Sequence, residues 1–452
     1  MRNRGVKPLL QFVSRVSGFT LWIVILAWAG FSPGAVRAEE AADWPAVREE
    51  TFAVVWQTVN DAYFDPKFGG LDWAAVREKY RPQLAQAAGK PELRALLQAM
   101  LGELQKTHFA ILPRETAVYQ PGERVRIGTT GADVKVIANE VVITRVRAGS
   151  PAAAAGLKPG DAVRRVNDQE VAQIAESLAG SGQTPARQAA HLGGFVASRL
   201  RAPVGTVVPL VVAAPGGEAR LVPVKCAAAE GAWSEPIGNF PAQLIESEAV
   251  RGADGIAYLR FNVFLPSLMK DIRALLRKLR PGDGLVIDLR GNPGGVVPMA
   301  QGICGWLTKD EFSLGKTHLR KGFLGLAVTP QEGAFPGPLA VLIDSGSAST
   351  SEILAAGLQE AGRARVFGER SAGAALPSVF KTLPTGDLLQ YAIADLQTPR
   401  GVALEGRGVS PDEPVMISRE DLVAGRDPAL AAARAWLMAQ RKKSAVPPAE
   451  KS

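Results

Sequence analysis

Between Ala42 and about Leu112, apolar side chains recur mostly at three- and four-residue intervals. Trp44, Val47, Phe52, Val55, Trp56, Val59 and Tyr63 form one such series, and Leu93, Leu96, Leu97, Met100, Leu101 and Leu104 form another. That period places them on the inner faces of helices. It predicts a small helical domain over residues 42–115, its last helix running out into Leu104-Gln-Lys-Thr-His108.

From about Gly122 the period shortens. Val134 to Ile137 and Val141 to Val146 are β-rich runs joined by Ala-Asn-Glu, a hairpin signal. Ser150-Pro opens a short alanine helix that Gly156 stops, and a tight turn then leads into another strand. Val207 to Ala213 and Arg220 to Val224 make a second hairpin around Pro-Gly-Gly. Residues 122–227 therefore read as a domain of β-hairpins with two short helices. From Gly255 strands alternate with helices, the pattern of an α/β layer with catalytic-type loops at the carboxyl ends of strands. Strands are expected at Ile256 to Phe261, Gly284 to Leu289 and Leu339 to Ile343, and helices at Leu268 to Leu279, Val297 to Leu307 and after Ser347. This core is placed at 235–438, and the polar stretch 439–452 reads as a disordered tail.

Composition narrows the class. The 452 residues are 47% hydrophobic and 21% charged, with 2 Cys and 3 His. Intrinsic disorder and a disulfide scaffold are excluded. The formal charge of +8 loses its meaning once the segment Met1 to Ala38 is set aside: it holds five basic side chains and no acid, leaving 47 basic against 44 acidic. A nucleic-acid partner is not expected. The segment Met1 to Ala38 has a basic start, an apolar stretch from Phe19 to Phe31 and the small-residue exit Ala35-Val-Arg-Ala38. It reads as a secretory leader (signal peptide) cleaved near Ala38, which would place the mature protein in the periplasm or outside the cell. An uncleaved anchor is the alternative, and only then would a membrane be a partner. Cys226 and Cys304 are expected as buried thiols. No His stands near another His or a Cys, so neither a metal nor any other cofactor is expected.

Two strand-to-loop junctions carry candidate chemistry. Gly291-Asn-Pro-Gly-Gly295 leaves its strand with backbone N–H groups unobstructed by Cβ atoms, as an oxyanion hole requires. Asp344-Ser-Gly-Ser-Ala-Ser-Thr-Ser-Glu352 opens a helix, where a hydroxyl lies beside unpaired N–H groups. Ser349-Thr-Ser-Glu352 also spells a capping box, which needs no catalytic role. A serine nucleophile needs a base. His108, His191 and His318 are all open candidates by position, His318 lying in the apparent basic loop Lys316 to Lys321.

At these residues the chain resembles a known family. Gly149 to Asp168 looks like part of a PDZ domain. Gly284 to Gly295, Val341 to Leu354 and Thr398-Pro-Arg-Gly…Gly408-Val-Ser-Pro-Asp412 resemble the carboxyl-terminal processing proteases and the tricorn core protease. The resemblance implies a mixed α/β fold: a crotonase-like ββα protease core, an inserted β-rich PDZ domain and an N-terminal helical domain. It makes Ser349 the nucleophile and gives the oxyanion hole to the Gly294/Gly295 backbone and the Thr350 N–H. The Ser-Lys members carry their base at the position that Ala374 occupies here. Lys381 comes too late to replace it, and Arg370 stays protonated. The tricorn branch uses a His that follows a helix, and Glu103-Leu-Gln-Lys-Thr-His108 matches its segment with Thr107 for the first serine. The implied relay runs from Glu405 through the Thr107 hydroxyl and His108 to Ser349. Asp288 and Asp412 read as structural.

The expected activity is that of an extracytoplasmic serine endopeptidase, its protein or peptide substrates held by their free carboxyl ends on the PDZ-like module. The missing Lys motivates a second reading, a PDZ-containing peptide-binding protein with weak or no turnover. A third, a binder of small apolar ligands, is motivated by Gly322-Phe-Leu-Gly-Leu326.

Overall fold

Helix-forming residues carry the described chain from its start. Trp44–Ala62, Trp73–Tyr80 and Lys90–Gly102 are helical, and Asp72 caps the second by accepting the Ala75 amide at 2.9 Å. The computed structural model describes residues 43–113, 127–180, 185–229, 231–237, 240, 242–280 and 282–445. The expected leader and residues 446–452 lie outside them. The three helices do not close a core of their own. Phe52, Val55, Val59, Leu93, Leu97 and Met100 share one apolar cluster with Leu376, Leu383, Leu389 and Ala392 from far along the chain.

Two further ties hold this junction. The Arg94 guanidinium grips Asp387 through two hydrogen bonds of 3.0 and 2.8 Å. Past the helices, Ala110–Leu112 turns into a strand and pairs antiparallel with Leu388–Ala392, Ile111 facing Leu389. Gln98 fixes that strand from the last helix, donating to the Phe109 carbonyl and accepting the Ile111 amide, both at 3.1 Å. The stretch that follows His108 is thereby tied both to the last helix and to strand Leu388–Ala392.

The middle segment forms an antiparallel sheet in the order 132–137, 140–146, 162–166, 207–213, 219–225. Ala138 and Asn139, both at positive φ, make the tight turn of its first hairpin. Among the described residues three helices accompany the sheet rather than two, at Pro151–Ala154, Val171–Ala179 and Pro185–Arg199. The last of these packs beside the edge strand Ala132–Ile137.

The rear layer is built on a six-stranded sheet in the order 247–251, 256–261, 284–288, 339–343, 365–368, 413–414. Its first pair is antiparallel and the rest are parallel. Gly284–Asp288 and Leu339–Ile343 are buried at every position, which explains their unbroken apolar runs. Helices Val297–Gly305 and Thr350–Glu360 cover one face. Helix Pro428–Ala445 covers the other, with Ala433 and Leu437 fully buried against Val286, Ala340 and Leu342. This corrects the tail expected at 439–452: the helix continues to Ala445 because its apolar stripe seals an otherwise bare sheet face. Leu437→Ala is accordingly expected to cost about 2–5 kcal/mol in a urea unfolding series.

His318 also departs from expectation. It lies in the strand Phe312–Leu319, not in a loop, with Nδ1 2.9 Å from Asp395 Oδ1. Cys226 and Cys304 are separate buried thiols. Among the described residues no helix is long and apolar enough to cross a membrane.

Candidate active site

Gly284–Asp288 and Leu339–Ile343 are neighbouring parallel strands, so the loops that leave their carboxyl ends lie side by side. The two loops are stitched together. The Ala348 amide and the Ser351 hydroxyl both donate to the Asn292 carbonyl, at 3.0 and 2.9 Å. The Ser347 hydroxyl donates to the Leu289 carbonyl at 2.7 Å, and the Thr350 hydroxyl to the Gly295 carbonyl at 2.8 Å. Asp344 accepts the Gly291 and Gly346 amides, each at 2.9 Å, and pairs with Lys135 of the middle domain at 3.2 Å. Burial alone would raise the Asp344 carboxyl; Lys135 and the two amides hold it below its ordinary range. Its role is to shape the turn.

Ser349 stands at the N-terminus of helix Thr350–Glu360 with φ of 53°, a left-handed conformation rare for a residue with a Cβ. Its amide donates to the Ala374 carbonyl at 2.7 Å and to Glu352 Oε2 at 3.0 Å, so the capping carboxylate of the sequence pattern is in place. A Cβ added to Gly294, itself at φ of 98°, would fall 2.8 Å from Ser349 Cβ and from the Thr350 nitrogen. Only glycine leaves that space open.

One detail of the expected oxyanion hole is corrected here. The Gly294 amide donates to Asn292 Oδ1 at 2.9 Å and is therefore committed. The amides of Gly295 and Thr350 have no hydrogen-bond acceptor among the described residues, so the pair left available is Gly295 and Thr350. Local sequence could not reveal this, because the Asn that takes the Gly294 amide is an ordinary loop residue until the turn closes.

The relay residues also come together. Glu405 Oε1 accepts the Thr107 amide and Oε2 the Thr107 hydroxyl, both at 2.7 Å. Thr107 Oγ1 lies 2.9 Å from His108 Nδ1. A carboxylate only accepts, so the hydroxyl proton points at Glu405 and the Thr107 oxygen must accept from Nδ1–H. His108 is thus held in the tautomer whose Nε2 carries a free lone pair. Desolvation pushes His108 down to about 4, keeping the ring neutral at ordinary pH.

The link to the serine runs through two adjacent residues: Ala374 accepts the Ser349 amide, and the Ala375 amide donates to Glu405 Oε2 at 3.3 Å. Among the described residues no hydrogen bond joins Ser349 Oγ to His108. Of the other candidate bases, His191 sits on helix Pro185–Arg199 of the middle domain, and His318 is tied to Asp395. Lys381 donates to Thr58 of the helical layer, and Arg370 to the Arg407 carbonyl. Asp288 holds Arg290 and the Tyr258 hydroxyl, and Asp412 accepts the Val366 amide, both structural positions.

A cavity of about 1590 Å³ opens between the middle domain and the core. Lys135, Arg147, Arg260 and Arg290 line it together with Asp133, Glu246, Asp344 and Glu369, and it reaches Ala348, which precedes Ser349, and Ala374, whose carbonyl accepts the Ser349 amide.

Residues 255–415 match the model of peptidase family S41, residues 43–102 that of the tricorn protease C1 domain, and residues 117–192 that of the PDZ domain. Fold and site together define a serine-type peptidase carrying a PDZ domain. These matches, with the relatives that follow, support a carboxyl-terminal-processing protease.

Over 405 residues it is 28% identical to the carboxyl-terminal-processing protease of Synechocystis sp., spanning 88% of this chain and 86% of the relative. Tricorn protease homolog 1 of Streptomyces coelicolor is 27% identical over 90% of this chain, which corresponds to 36% of that larger protein. Among solved structures, the photosystem II D1 C-terminal processing protease superposes with a TM-score of 0.57 at 22% identity, covering 82% of this chain and 94% of the other. Mature CPAF complexed with lactacystin gives 0.59 at 15% identity, covering 88% and 98%. At such identities these two superpositions speak for the fold.

Proposed function

We propose that this protein is an extracytoplasmic serine endopeptidase that takes protein or peptide substrates by their free carboxyl ends and cleaves them with Ser349. The observation that carries this reading is the Glu405–Thr107–His108 relay, in which a 2.7 Å hydrogen bond joins Thr107 to Glu405, 298 positions apart, and a 2.9 Å contact passes on to the neighbouring His108. The leader-like segment Met1 to Ala38 supports the location. The open edge strand Ala132–Ile137, with helix Pro185–Arg199 alongside, supports capture of an extended chain by strand addition, and the cavity gives that chain a route toward Ser349.

In the reaction, His108 Nε2 takes the Ser349 hydroxyl proton as Oγ bonds to the scissile carbonyl carbon. The developing oxyanion is held by the Gly295 and Thr350 amides. His108 returns the proton to the leaving amine as the C–N bond breaks. A water, deprotonated by the same nitrogen, then releases the acyl group from Ser349. Glu405 and Thr107 keep the ring in the required tautomer throughout.

Paired peptides of one sequence, with free and amidated carboxyl ends, test the reading by mass spectrometry. Cleavage at an internal bond is expected, with a higher KM for the amidated form. Equal KM values would remove the carboxyl-end capture. Binding without cleavage across a broad peptide library would leave the alternative of a PDZ-containing binding protein standing.

A further inference from the structure

Glu352 is fully buried, and the relay just described does not use it. It sits in the first turn of helix Thr350–Glu360, three residues after Ser349, and all four of its contacts are donors. Oε1 accepts the Ser371 hydroxyl at 2.6 Å and the Gly373 amide at 2.8 Å. Oε2 accepts the Ala374 amide at 2.9 Å and the Ser349 amide at 3.0 Å. Four donors fill the four acceptor sites of a carboxylate. A protonated acid would offer one acceptor fewer, so its O–H would have to turn either toward an amide N–H or onto the Ser371 oxygen, displacing the hydroxyl proton that Ser371 now donates.

These four contacts lie at the centre of the site. One holds the left-handed backbone of Ser349. Two hold Gly373 and Ala374, the latter accepting the Ser349 amide and leading directly to Ala375, whose amide reaches Glu405. The fourth, Ser371, takes the Val409 amide on its hydroxyl oxygen at 2.6 Å and so anchors the segment that follows Glu405. One buried carboxylate therefore fastens both the serine turn and the loop that carries the acid end of the relay.

We infer that Glu352 is a positioning residue for the peptidase reaction and that it positions Ser349 only in its ionised form, so that its protonation switches the site off. This rests on the reading of Ser349 as nucleophile and His108 as base. The charged residues on the segments packed against Glu352 are Glu369 and Arg370 on one side and Glu405 and Arg407 on the other, with His108 beyond Thr107. None of them hydrogen-bonds it: Glu369 pairs with Lys135, Arg370 with the Arg407 carbonyl, and Glu405 with Thr107. Its partners are all neutral. Desolvation pushes the carboxyl up to about 7, against the pull of its four hydrogen bonds. The base would titrate much lower, His108 being pushed down to about 4. The two groups shift in opposite directions, so a loss of rate near neutrality that disappears in Glu352→Gln is that of Glu352.

Folding stability does not mimic this signal. The lowered His108 contributes stability that is lost as pH falls from 6.5 toward about 4. The raised Glu352 contributes stability that is lost as pH rises from 4.5 through about 7. The two trends oppose each other over their shared range.

The test is the pH dependence of kcat/KM between pH 4.5 and 9 on a peptide substrate, for the wild-type chain, Glu352→Gln and Ser371→Ala. In the wild type, kcat/KM falls about tenfold per pH unit below about 7. Glu352→Gln loses this limb and runs flat to about pH 5; kcat is reduced about 10²-fold by the misplaced serine, with KM little changed. Ser371→Ala removes a bond that favours the carboxylate and leaves the nucleophile untouched, so its limb moves to higher pH. An unchanged limb in Glu352→Gln, or in Ser371→Ala where the glutamine variant does not fold, overturns the inference while leaving the serine assignment intact. Full activity in Ser349→Ala would instead overturn the reading beneath it.

Discussion

Ser349→Ala is expected to lose roughly 10⁴- to 10⁶-fold in kcat/KM, and His108→Ala to lose nearly as much. The two losses do not add, because nucleophile and base act as one unit; the double variant should be no worse than either single one. Folding should survive both changes. The ties that hold Ser349 are made by its backbone amide, to Ala374 at 2.7 Å and to Glu352 at 3.0 Å, and alanine keeps them. His108 stands at φ of 61° in a segment fixed from both sides, by Thr107 on Glu405 and by Gln98 on Phe109 and Ile111. An active-serine phosphonate probe gives the direct measurement: it should label the wild-type chain, fail on Ser349→Ala and label His108→Ala very slowly. Labelling that persists in Ser349→Ala would place the nucleophile elsewhere. A His108→Ala variant within tenfold of wild type would remove the imidazole as base.

Gly294→Ala should be almost as damaging, through geometry rather than chemistry. The new Cβ would lie 2.8 Å from the Ala348 carbonyl oxygen, from Ser349 Cβ and from the Thr350 nitrogen. Contacts that short force the backbone apart, and a φ of 98° adds strain for any residue with a side chain. In the proposed site the Thr350 amide is one of the two donors for the oxyanion, so the shift would misalign serine and hole together. Losing one such donor costs about 10²–10³-fold in kcat, and Gly294→Ala should reach at least that. Probe labelling should slow in parallel, since the phosphonate oxygen uses the same donors. Gly291→Asn is the control: φ there is 70°, within reach of Asn, and no atom lies within 4 Å of the added Cβ. It should stay near wild type. A Gly294→Ala variant as active as Gly291→Asn would mean that the hole is formed elsewhere.

The two junction loops are legible in the sequence because their chemistry is local. A glycine-rich turn after a buried strand and a Ser-Thr-Ser-Glu helix start are patterns of adjacent residues. The capping glutamate reads as a cap, and it is one. That the same carboxylate also grips Ser371, Gly373 and Ala374 depends on the loop that leaves strand Arg365–Gly368. The reach of the terminal helix is hidden because Arg441, Lys442 and Lys443 look like a solvated tail. Arg441 instead folds back to donate to the carbonyls of Asp254 and Gly282, and Leu437 closes the sheet. Likewise Phe312–Leu319 and Phe323–Val328 look like loop material, since their cover comes from the distant strand Ala394–Gln397.

The amino-acid order by itself determined the alternation of helical, hairpin and α/β segments, the serine at its helix start and the absence of a lysine where Ala374 stands. These depend on side-chain period and residue identity, both of which are written along the chain. Tertiary structure alone decided which residues meet Thr107 and which amides of the two junction loops are left without an acceptor among the described residues. His108 is joined through Thr107 to Glu405 only because Ile111 pairs with Leu389 and Thr107 meets Glu405, contacts whose energy is unavailable to either segment in isolation. The Gly294 amide is committed because Asn292 turns back onto it. Hydrogen-bond partners are assigned by folding, since each donor takes whichever acceptor the packed layers bring within about 3 Å, and residue spacing places no bound on that choice.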